Sequence, residues 1–129
     1  MDKLVIVLVD DQPVICEMVE SILKDTYEVH TFTSGKEAME YMSDHQVDLA
    51  LLDYYMPNMT GFEVLLDMRS KRDCRRIQKI PVIFLTSETN ERMKMEMMGR
   101  GASDYLCKPI DFPALLDSIK NLLPEKFAA

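Results

Sequence analysis

The chain has 129 residues, of which 47% are apolar and 29% are charged, and its net charge is −7. This length and composition are typical of one globular domain, so we expect residues 1–129 to fold as a single unit. The negative charge disfavours nucleic acid as a direct partner, because contacts with phosphates need a basic surface. No apolar run approaches the roughly 18 residues of a membrane-spanning helix, and Asp10 and Asp11 interrupt the first apolar segment too early for a signal peptide. We therefore expect a cytoplasmic protein without a membrane partner.

The three cysteines, Cys16, Cys74 and Cys107, are scattered and include no Cys-x-x-Cys pair. This argues against a disulfide framework and against a zinc site, and it fits a reducing compartment. The two histidines, His30 and His45, are too few and too separated to predict a metal cluster. We expect Cys107 to be a small buried apolar side chain.

Five short apolar segments predict strands, and an amphipathic helix is predicted after each of them. The predicted strands cover residues 4–9, 27–32, 48–52, 81–85 and 103–107. The predicted helices begin near Pro13, Ser34, Thr60, Asn90 and Pro113, and Ser34 and Thr60 each start a capping-box pattern. The basic segment 71–76 is predicted to be a solvated loop. Regular alternation of strands and helices predicts a parallel α/β sheet with helices on both faces.

Candidate functional side chains follow four of the five predicted strands. They are Asp10 and Asp11 after the first strand, Asp53 after the third, Thr86 and Ser87 after the fourth, and Lys108 after the fifth. Ligands of open parallel sheets bind at the carboxyl ends of the strands. If the first and third strands are neighbours, three carboxylates converge there. Two unit charges about 4 Å apart repel by roughly 4 kcal/mol at an effective dielectric constant near 20, and a hard divalent cation such as Mg²⁺ relieves that repulsion.

Lys108 and Thr86 add a positive charge and a hydroxyl donor to this predicted site. Carboxylates, a metal, a lysine and a hydroxyl together suit a phosphoryl group. The metal and the lysine neutralise charge on the phosphoryl oxygens, while one carboxylate serves as nucleophile. Asp53 is the candidate nucleophile, because it ends an apolar run that is typical of a strand buried on both faces.

The order and spacing of several short motifs identify a family. The motifs are Asp10-Asp11, Asp53-Tyr54-Tyr55-Met56-Pro57 with Gly61, Thr86, Gly101-Ala102 with Asp104-Tyr105-Leu106, and Lys108-Pro109. On these residues, the chain from about residue 3 to 123 resembles a response regulator receiver domain. The resemblance implies a flavodoxin-like (βα)5 fold, whose five-stranded parallel sheet has the order 2-1-3-4-5. It also implies a phosphorylation-dependent switch of a two-component phosphorelay.

The resemblance assigns roles to the acidic residues. Asp53 is the expected acceptor of a phosphoryl group from a phosphohistidine on a sensor histidine kinase or a phosphotransfer protein. Asp11 and Asp53 are expected to bind Mg²⁺ directly, together with the backbone carbonyl of Tyr55. Asp10 is expected to act largely through a metal-bound water.

The resemblance also implies how the switch works. Lys108 is expected to pair with a phosphoryl oxygen, Thr86 to hydrogen-bond another, and Tyr105 to turn inward as Thr86 moves. The Lys108-Pro109 peptide bond is expected to be cis. The surface of the fourth predicted helix, the fifth strand and the last helix is expected to contact a downstream protein or effector domain. Family members range from monomers to phosphorylation-linked dimers, so a homodimer is a further candidate.

Three other functions stay open at this point. A phosphatase of the haloacid dehalogenase type needs a second acid two residues after its nucleophile, and here that residue is Tyr55. A flavin- or nucleotide-binding module needs glycines where Asp10 and Asp11 stand. A phosphorylation-independent adaptor does not need the acidic, hydroxyl and lysine set, so the presence of that set argues against it. Because Tyr55 stands where the phosphatase needs an acid, we expect no enzyme, apart from self-phosphorylation by a phosphodonor and slow autodephosphorylation.

Several of these residues also have purely structural interpretations. Asp10 and Asp11 can cap the first helix, Thr86 and Ser87 the fourth, and Tyr105 can simply pack. The methionines at positions 93, 95, 97 and 98 cannot share one helix face, so some should be exposed or near the surface. They either fill the core irregularly or form an adaptable apolar patch for a partner. By hypothesis, Tyr55 and Glu88 influence how fast water removes the phosphoryl group.

Overall fold

Five parallel strands form the sheet in the computed structural model, which describes residues 3–71, 73–87 and 90–123. The strands are β1 (Val5–Val9), β2 (Glu28–Phe32), β3 (Leu49–Asp53), β4 (Val82–Thr86) and β5 (Asp104–Cys107). Their order is β2-β1-β3-β4-β5, which confirms the predicted flavodoxin-like fold. Every residue of β3 and β4 is buried. This agrees with their uninterrupted apolar sequences, because strands covered on both faces have no solvated side.

Six helices surround the sheet in the described ranges. They are α1 (Pro13–Leu23), α2 (Gly35–Asp44), α3 (Gly61–Arg69), α4 (Arg75–Gln78), α5 (Glu91–Gly99) and α6 (Phe112–Leu122). Ser34 accepts the Glu37 amide as the N-cap of α2, and Thr60 and Glu63 form both hydrogen bonds of a capping box at α3. The predicted starts of these two helices are therefore confirmed.

The helices pack on both faces of the sheet and create two apolar cores. Because successive side chains of a strand point to opposite faces, one core contains Val7, Val9, Ala50, Leu52, Val82 and Phe84, and the other contains Ile6, Leu8, Leu49, Leu51, Ile83 and Leu85. The first core includes residues of α2, α3 and α5, and the second includes residues of α1 and α6. Both faces of the sheet are thus covered mainly by apolar side chains.

The short helix α4 corrects the prediction of a solvated loop at 71–76, of which Arg72 lies outside the described residues. The Arg76 guanidinium donates to the backbone carbonyls of Met42, at 3.0 Å, and Ser43, at 3.2 Å, and to that of His45. These carbonyls belong to the last turn of α2, which has no intrahelical donors for them. Arg76 therefore caps the carboxyl end of α2, a role that the sequence did not predict.

Arg69, the last residue of α3, makes a similar connection. Its guanidinium donates to the carbonyl of Gln78 at 3.1 Å and to that of Gly101 at 2.8 Å. Gly101 has a φ of +106°, and a Cβ atom there would lie 2.9 Å from the Arg69 Nε. Arg69 thus joins the ends of α3 and α4 to the turn between α5 and β5.

Other side chains correct or confirm smaller predictions. Cys107 is exposed, and the prediction that it is buried is wrong, because it ends the edge strand β5. Asn90, rather than Thr86 or Ser87, caps α5 by accepting the Met93 amide at 2.8 Å. On α5, Met97 is buried, whereas Met95 is 71% and Met98 40% exposed, as the helical spacing predicts. None of the helices in the described ranges has the length and apolarity needed to span a membrane.

Candidate functional site

The predicted site lies at the carboxyl end of the sheet, where β1 and β3 are neighbours. Asp53 is the last residue of β3, and Asp10 directly follows β1. Asp53 is only 4% exposed, and Asp10 is fully buried. The β1–β3 register pairs Val9 with Leu52, so the acidic residues that come next on the two strands lie side by side.

Three carboxylates meet at this point. Each of Asp10, Asp11 and Asp53 contributes one carboxylate oxygen, and these three oxygens lie within 4.8 Å of one another. A hard divalent cation binds such a set of oxygen ligands, and Mg²⁺ binds through one or two carboxylates with several retained waters. The donor set of this chain therefore fits Mg²⁺.

Lys108 lies against the same carboxylates. Its ammonium nitrogen is 3.0 Å from Oδ2 of Asp10 and 3.3 Å from Oδ1 of Asp53. Burial by itself would lower the pKa of Lys108, but hydrogen bonds and charge from Asp10 and Asp53 outweigh it and raise the pKa. The ammonium therefore stays charged. The Lys108 amide donates to the Thr86 carbonyl at 2.7 Å, and the Lys108-Pro109 peptide bond is cis.

The carboxyl of Asp53 has a raised pKa. Burial, followed by the charge of Asp10, raises its pKa from 3.8 to about 7, although Lys108 opposes the shift. One lysine does not offset the burial and crowding of these acids. A bound divalent cation favours the ionised carboxylate, which is the nucleophilic form.

The remaining predicted residues surround this centre. Thr86 is fully buried at the end of β4, and its backbone contacts Lys108. Tyr105 on β5 is half-buried, and the Lys94 ammonium lies 5.3 Å from the centre of its ring. Tyr55 is 46% exposed, and its hydroxyl donates to the Met93 sulfur at 3.7 Å. Glu88, which was also expected to influence how fast water removes the phosphoryl group, lies outside the described residues.

Gly61 holds the backbone of the site in place. A Cβ atom on Gly61 would lie 2.2 Å from the Asp53 carbonyl oxygen, closer than any side chain allows. The Gly61 amide donates to the Tyr54 carbonyl at 2.9 Å. Helix α3 therefore begins directly against the chain segment that carries Asp53, and a glycine is required for that approach.

Two residues near Asp10 were not predicted to belong to the site. The Cys16 thiol donates to the Asp10 carbonyl at 3.4 Å, and burial, followed by the charge of Asp10, raises the pKa of this thiol to about 11. The Gln12 amide donates to Oδ1 of Asp10 at 2.9 Å, and its side-chain oxygen lies 3.5 Å from the Lys108 nitrogen. Neither residue type has a distinctive motif, so only the fold reveals these contacts.

Comparison with known proteins finds similar sequences and similar structures. The family model for the response regulator receiver domain matches residues 6–120. The structure is similar to that of the chemotaxis protein CheY4 of Vibrio cholerae, with a TM-score of 0.86 and 32% identity, covering 93% of this chain and 98% of that one.

Two curated relatives are longer than this chain. The response regulator SaeR of Staphylococcus aureus is 34% identical over 119 residues, which are 92% of this chain and 50% of that protein. A probable cyclic di-GMP phosphodiesterase of Vibrio cholerae is 34% identical over 121 residues, which are 94% of this chain and 27% of that protein. The chain thus spans half or less of the length of these relatives.

Proposed function

Since this chain belongs to the response regulator receiver domain family of two-component signalling, we propose that it is a switch controlled by phosphorylation of Asp53. The position of the Asp53 carboxylate carries the proposal. It ends the central strand β3, beside Asp10 and Asp11 and 3.3 Å from the Lys108 nitrogen. A carboxylate nucleophile with a fixed cation and a metal-binding acid pair has the components of phosphoryl transfer.

The phosphoryl donor is a phosphohistidine of a sensor histidine kinase or of a phosphotransfer protein, and the protein acts in the cytoplasm. A carboxylate oxygen of Asp53 forms the new bond to phosphorus as the bond between phosphorus and the imidazole nitrogen breaks. The electron pair of the broken bond stays on the imidazole, which takes up a proton. The product is an aspartyl phosphate.

The cofactor in this proposal is Mg²⁺, which fits the acidic donor set. Asp11 and Asp53 would bind the ion directly with the backbone carbonyl of Tyr55, and Asp10 would act through a water molecule. When bound, Mg²⁺ neutralises charge on the carboxylates and on the phosphoryl oxygens. Burial, followed by the charge of Asp10, raises the pKa of Asp53, and a bound cation would offset both effects.

Lys108 and Thr86 respond to the new group. The Lys108 ammonium, which donates to Asp53 in the unmodified protein, donates to a phosphoryl oxygen after transfer. The Thr86 hydroxyl hydrogen-bonds another oxygen, and Tyr105 turns inward from its half-buried position. Phosphorylation thus favours an arrangement that the unmodified protein populates as a minority.

The change is transmitted at the surface formed by α5, β5 and α6. Met95 and Met98 of α5 are exposed there, and exposed methionines adapt to varied apolar partners. The partner is a downstream protein or effector domain, or a second copy of the phosphorylated chain. Steady-state phosphatase activity is not part of the proposal, because Tyr55 stands where a second acid is needed.

Labelling with a small phosphodonor tests the assignment. Incubation with acetyl phosphate and Mg²⁺ should phosphorylate the wild-type chain, and Asp53→Asn should abolish incorporation. Asp67→Asn, on the surface of α3 and paired with Lys71, is the matched control and should incorporate the group normally. Full, acid-stable labelling of Asp53→Asn refutes the assignment.

A further inference from the structure

The Lys108 ammonium has three oxygen acceptors around it. Its nitrogen lies 3.0 Å from Oδ2 of Asp10, 3.3 Å from Oδ1 of Asp53 and 3.5 Å from Oε1 of Gln12. An ammonium carries three N–H donors, so each donor can have an acceptor of its own. Two of these acceptors are carboxyl oxygens, and the third is a neutral amide oxygen.

Gln12 contacts both partners of the ion pair between Asp10 and Lys108. Its backbone amide donates to Oδ1 of Asp10 at 2.9 Å, while its side chain faces Lys108. Gln12 is also the N-cap of α1, but its side chain makes no capping hydrogen bond. Residues at this position commonly cap with their side chains, whereas here the amide group contacts the lysine.

We propose that Gln12 is a positioning residue for phosphoryl transfer to Asp53 and that it acts through Lys108. The inference rests on the proposed function. When an Asp53 oxygen bonds to phosphorus, the N–H of Lys108 that faces Asp53 must turn to a phosphoryl oxygen. Asp10 and Gln12 accept the other two N–H groups and so keep the nitrogen in place. A neutral acceptor suits the positioning of Lys108, because a further carboxylate would repel the anionic phosphoryl group.

The first test measures the rate of phosphorylation by acetyl phosphate with Mg²⁺. In this reaction a carboxylate oxygen of Asp53 bonds to phosphorus, the bond between phosphorus and the acetyl oxygen breaks, and acetate leaves. Gln12→Met keeps the side-chain length but removes the acceptor, and it should lower the rate about two- to fivefold, the effect of one hydrogen bond. Gln46→Met, at an exposed glutamine after α2, is the matched control and should leave the rate unchanged.

A double-mutant cycle shows whether Gln12 acts through Lys108. In the Lys108→Ala background, Gln12→Met should produce no additional decrease in the rate. A merely structural role of Gln12 at the start of α1 predicts the same decrease in both backgrounds. That result overturns the proposal, and so does an unchanged rate for Gln12→Met in the wild-type background.

A second measurement does not depend on phosphoryl transfer. Exchange of the Lys108 ammonium protons with water, followed by ¹⁵N NMR, should be faster in Gln12→Met than in the wild type and unchanged in Gln46→Met. Gln12→Glu keeps an acceptor and should retain slow exchange. Equal exchange in the wild type and Gln12→Met refutes the positioning role. A wild-type chain that accepts no phosphoryl group refutes the proposed function instead, and the NMR result still decides the role of Gln12.

Discussion

Charged side chains are arranged differently at the two ends of the sheet. At the carboxyl end, the oxygens of Asp10, Asp11 and Asp53 come within 4.8 Å of one another, and Lys108 contacts two of these residues. At the amino end, Arg69 and Arg76 donate to backbone carbonyls at the ends of helices and turns. The arginines satisfy polar groups that the fold itself exposes. The acids instead repel one another in the absence of a bound metal ion, because Lys108 offsets their crowding only in part.

This difference separates stability from function. Hydrogen bonds from a guanidinium to helix-end carbonyls stabilise the folded chain and need no ligand. Crowded carboxylates destabilise it until a bound metal ion offsets their charge. Substitutions at the amino end should therefore change the free energy of unfolding with little effect on phosphorylation, whereas substitutions at the carboxyl end should change phosphorylation.

The largest effects are expected at two glycines. Gly61→Ala places a Cβ atom 2.2 Å from the Asp53 carbonyl oxygen, and Gly101→Ala places one at a φ of +106° beside Arg69. Each should lower the free energy of unfolding by about 3 kcal/mol, because backbone must move or strain. Urea unfolding measures this loss, and Gly99→Ala, which has open space around its Cβ, is the matched control.

The two glycine variants should differ in phosphorylation. The folded fraction of Gly61→Ala should react with acetyl phosphate more slowly than the wild type, because Asp53 is displaced, while folded Gly101→Ala should react normally. Equal phosphorylation rates of the two folded variants would contradict the claim that only the carboxyl end of the sheet controls phosphorylation.

Arg69→Met should have the next largest effect on stability. It removes two hydrogen bonds from a charged donor, at 3.1 and 2.8 Å, and should lower the free energy of unfolding by about 2 kcal/mol. Arg75→Met, at an exposed position on α4, serves as the control. A loss for Arg69→Met no larger than that of the control would show that these carbonyls are equally well satisfied by water.

Asp53→Asn should instead raise the free energy of unfolding. Because the folded state raises the pKa of Asp53 from 3.8 to about 7, folding favours the protonated form. Stability should therefore fall as pH rises between these two values, and the loss should be complete above the upper one. Without divalent cations, the variant should be more stable than the wild type at about pH 8, on the order of 1–2 kcal/mol, with a smaller gap at about pH 5.

Mg²⁺ provides the control for this prediction. Addition of the ion should raise the stability of the wild type at about pH 8 more than that of Asp53→Asn, because the ion relieves repulsion that the variant lacks. Denaturant unfolding at both pH values with and without Mg²⁺ measures these differences. A wild type more stable than the variant at the higher pH without cations would mean that the carboxylates are not destabilising.

The smallest effect is expected at Tyr55, which follows Asp53 by two residues and is 46% exposed. Tyr55→Asn removes a bulky ring next to the phosphoryl site, so water should reach the aspartyl phosphate more easily. Its half-life should shorten by about two- to fivefold, measured as loss of label after the phosphodonor is removed. An unchanged half-life would count against a shielding role for Tyr55.

Features with local signals were predictable from the sequence. The apolar run from Leu49 to Leu52 indicated a strand buried on both faces and placed Asp53 at its end. Thr60 and Glu63 signalled the start of α3, and both hydrogen bonds of their capping box are present. The strand order came from the family resemblance, because alternating strands and helices do not by themselves specify it.

Features that depend on tertiary contacts were not predictable in this way. Arg69, Arg76 and Gln12 resemble ordinary surface residues in sequence. The acceptors of the two arginines lie on other elements, and the Gln12 side chain accepts from Lys108, which follows β5. The four-residue helix α4 is too short to show helical periodicity. Cys107 was predicted to be buried because free cysteines are usually small buried residues, but it ends the edge strand β5.

The most direct test of the account identifies the phosphorylated residue chemically. After reaction with acetyl phosphate and Mg²⁺, borohydride reduces an aspartyl phosphate to homoserine, which peptide mass spectrometry can locate. The account predicts homoserine at position 53, dependent on acetyl phosphate. Homoserine at position 10 or 11 instead, or a labelled protein without homoserine at position 53, would contradict it.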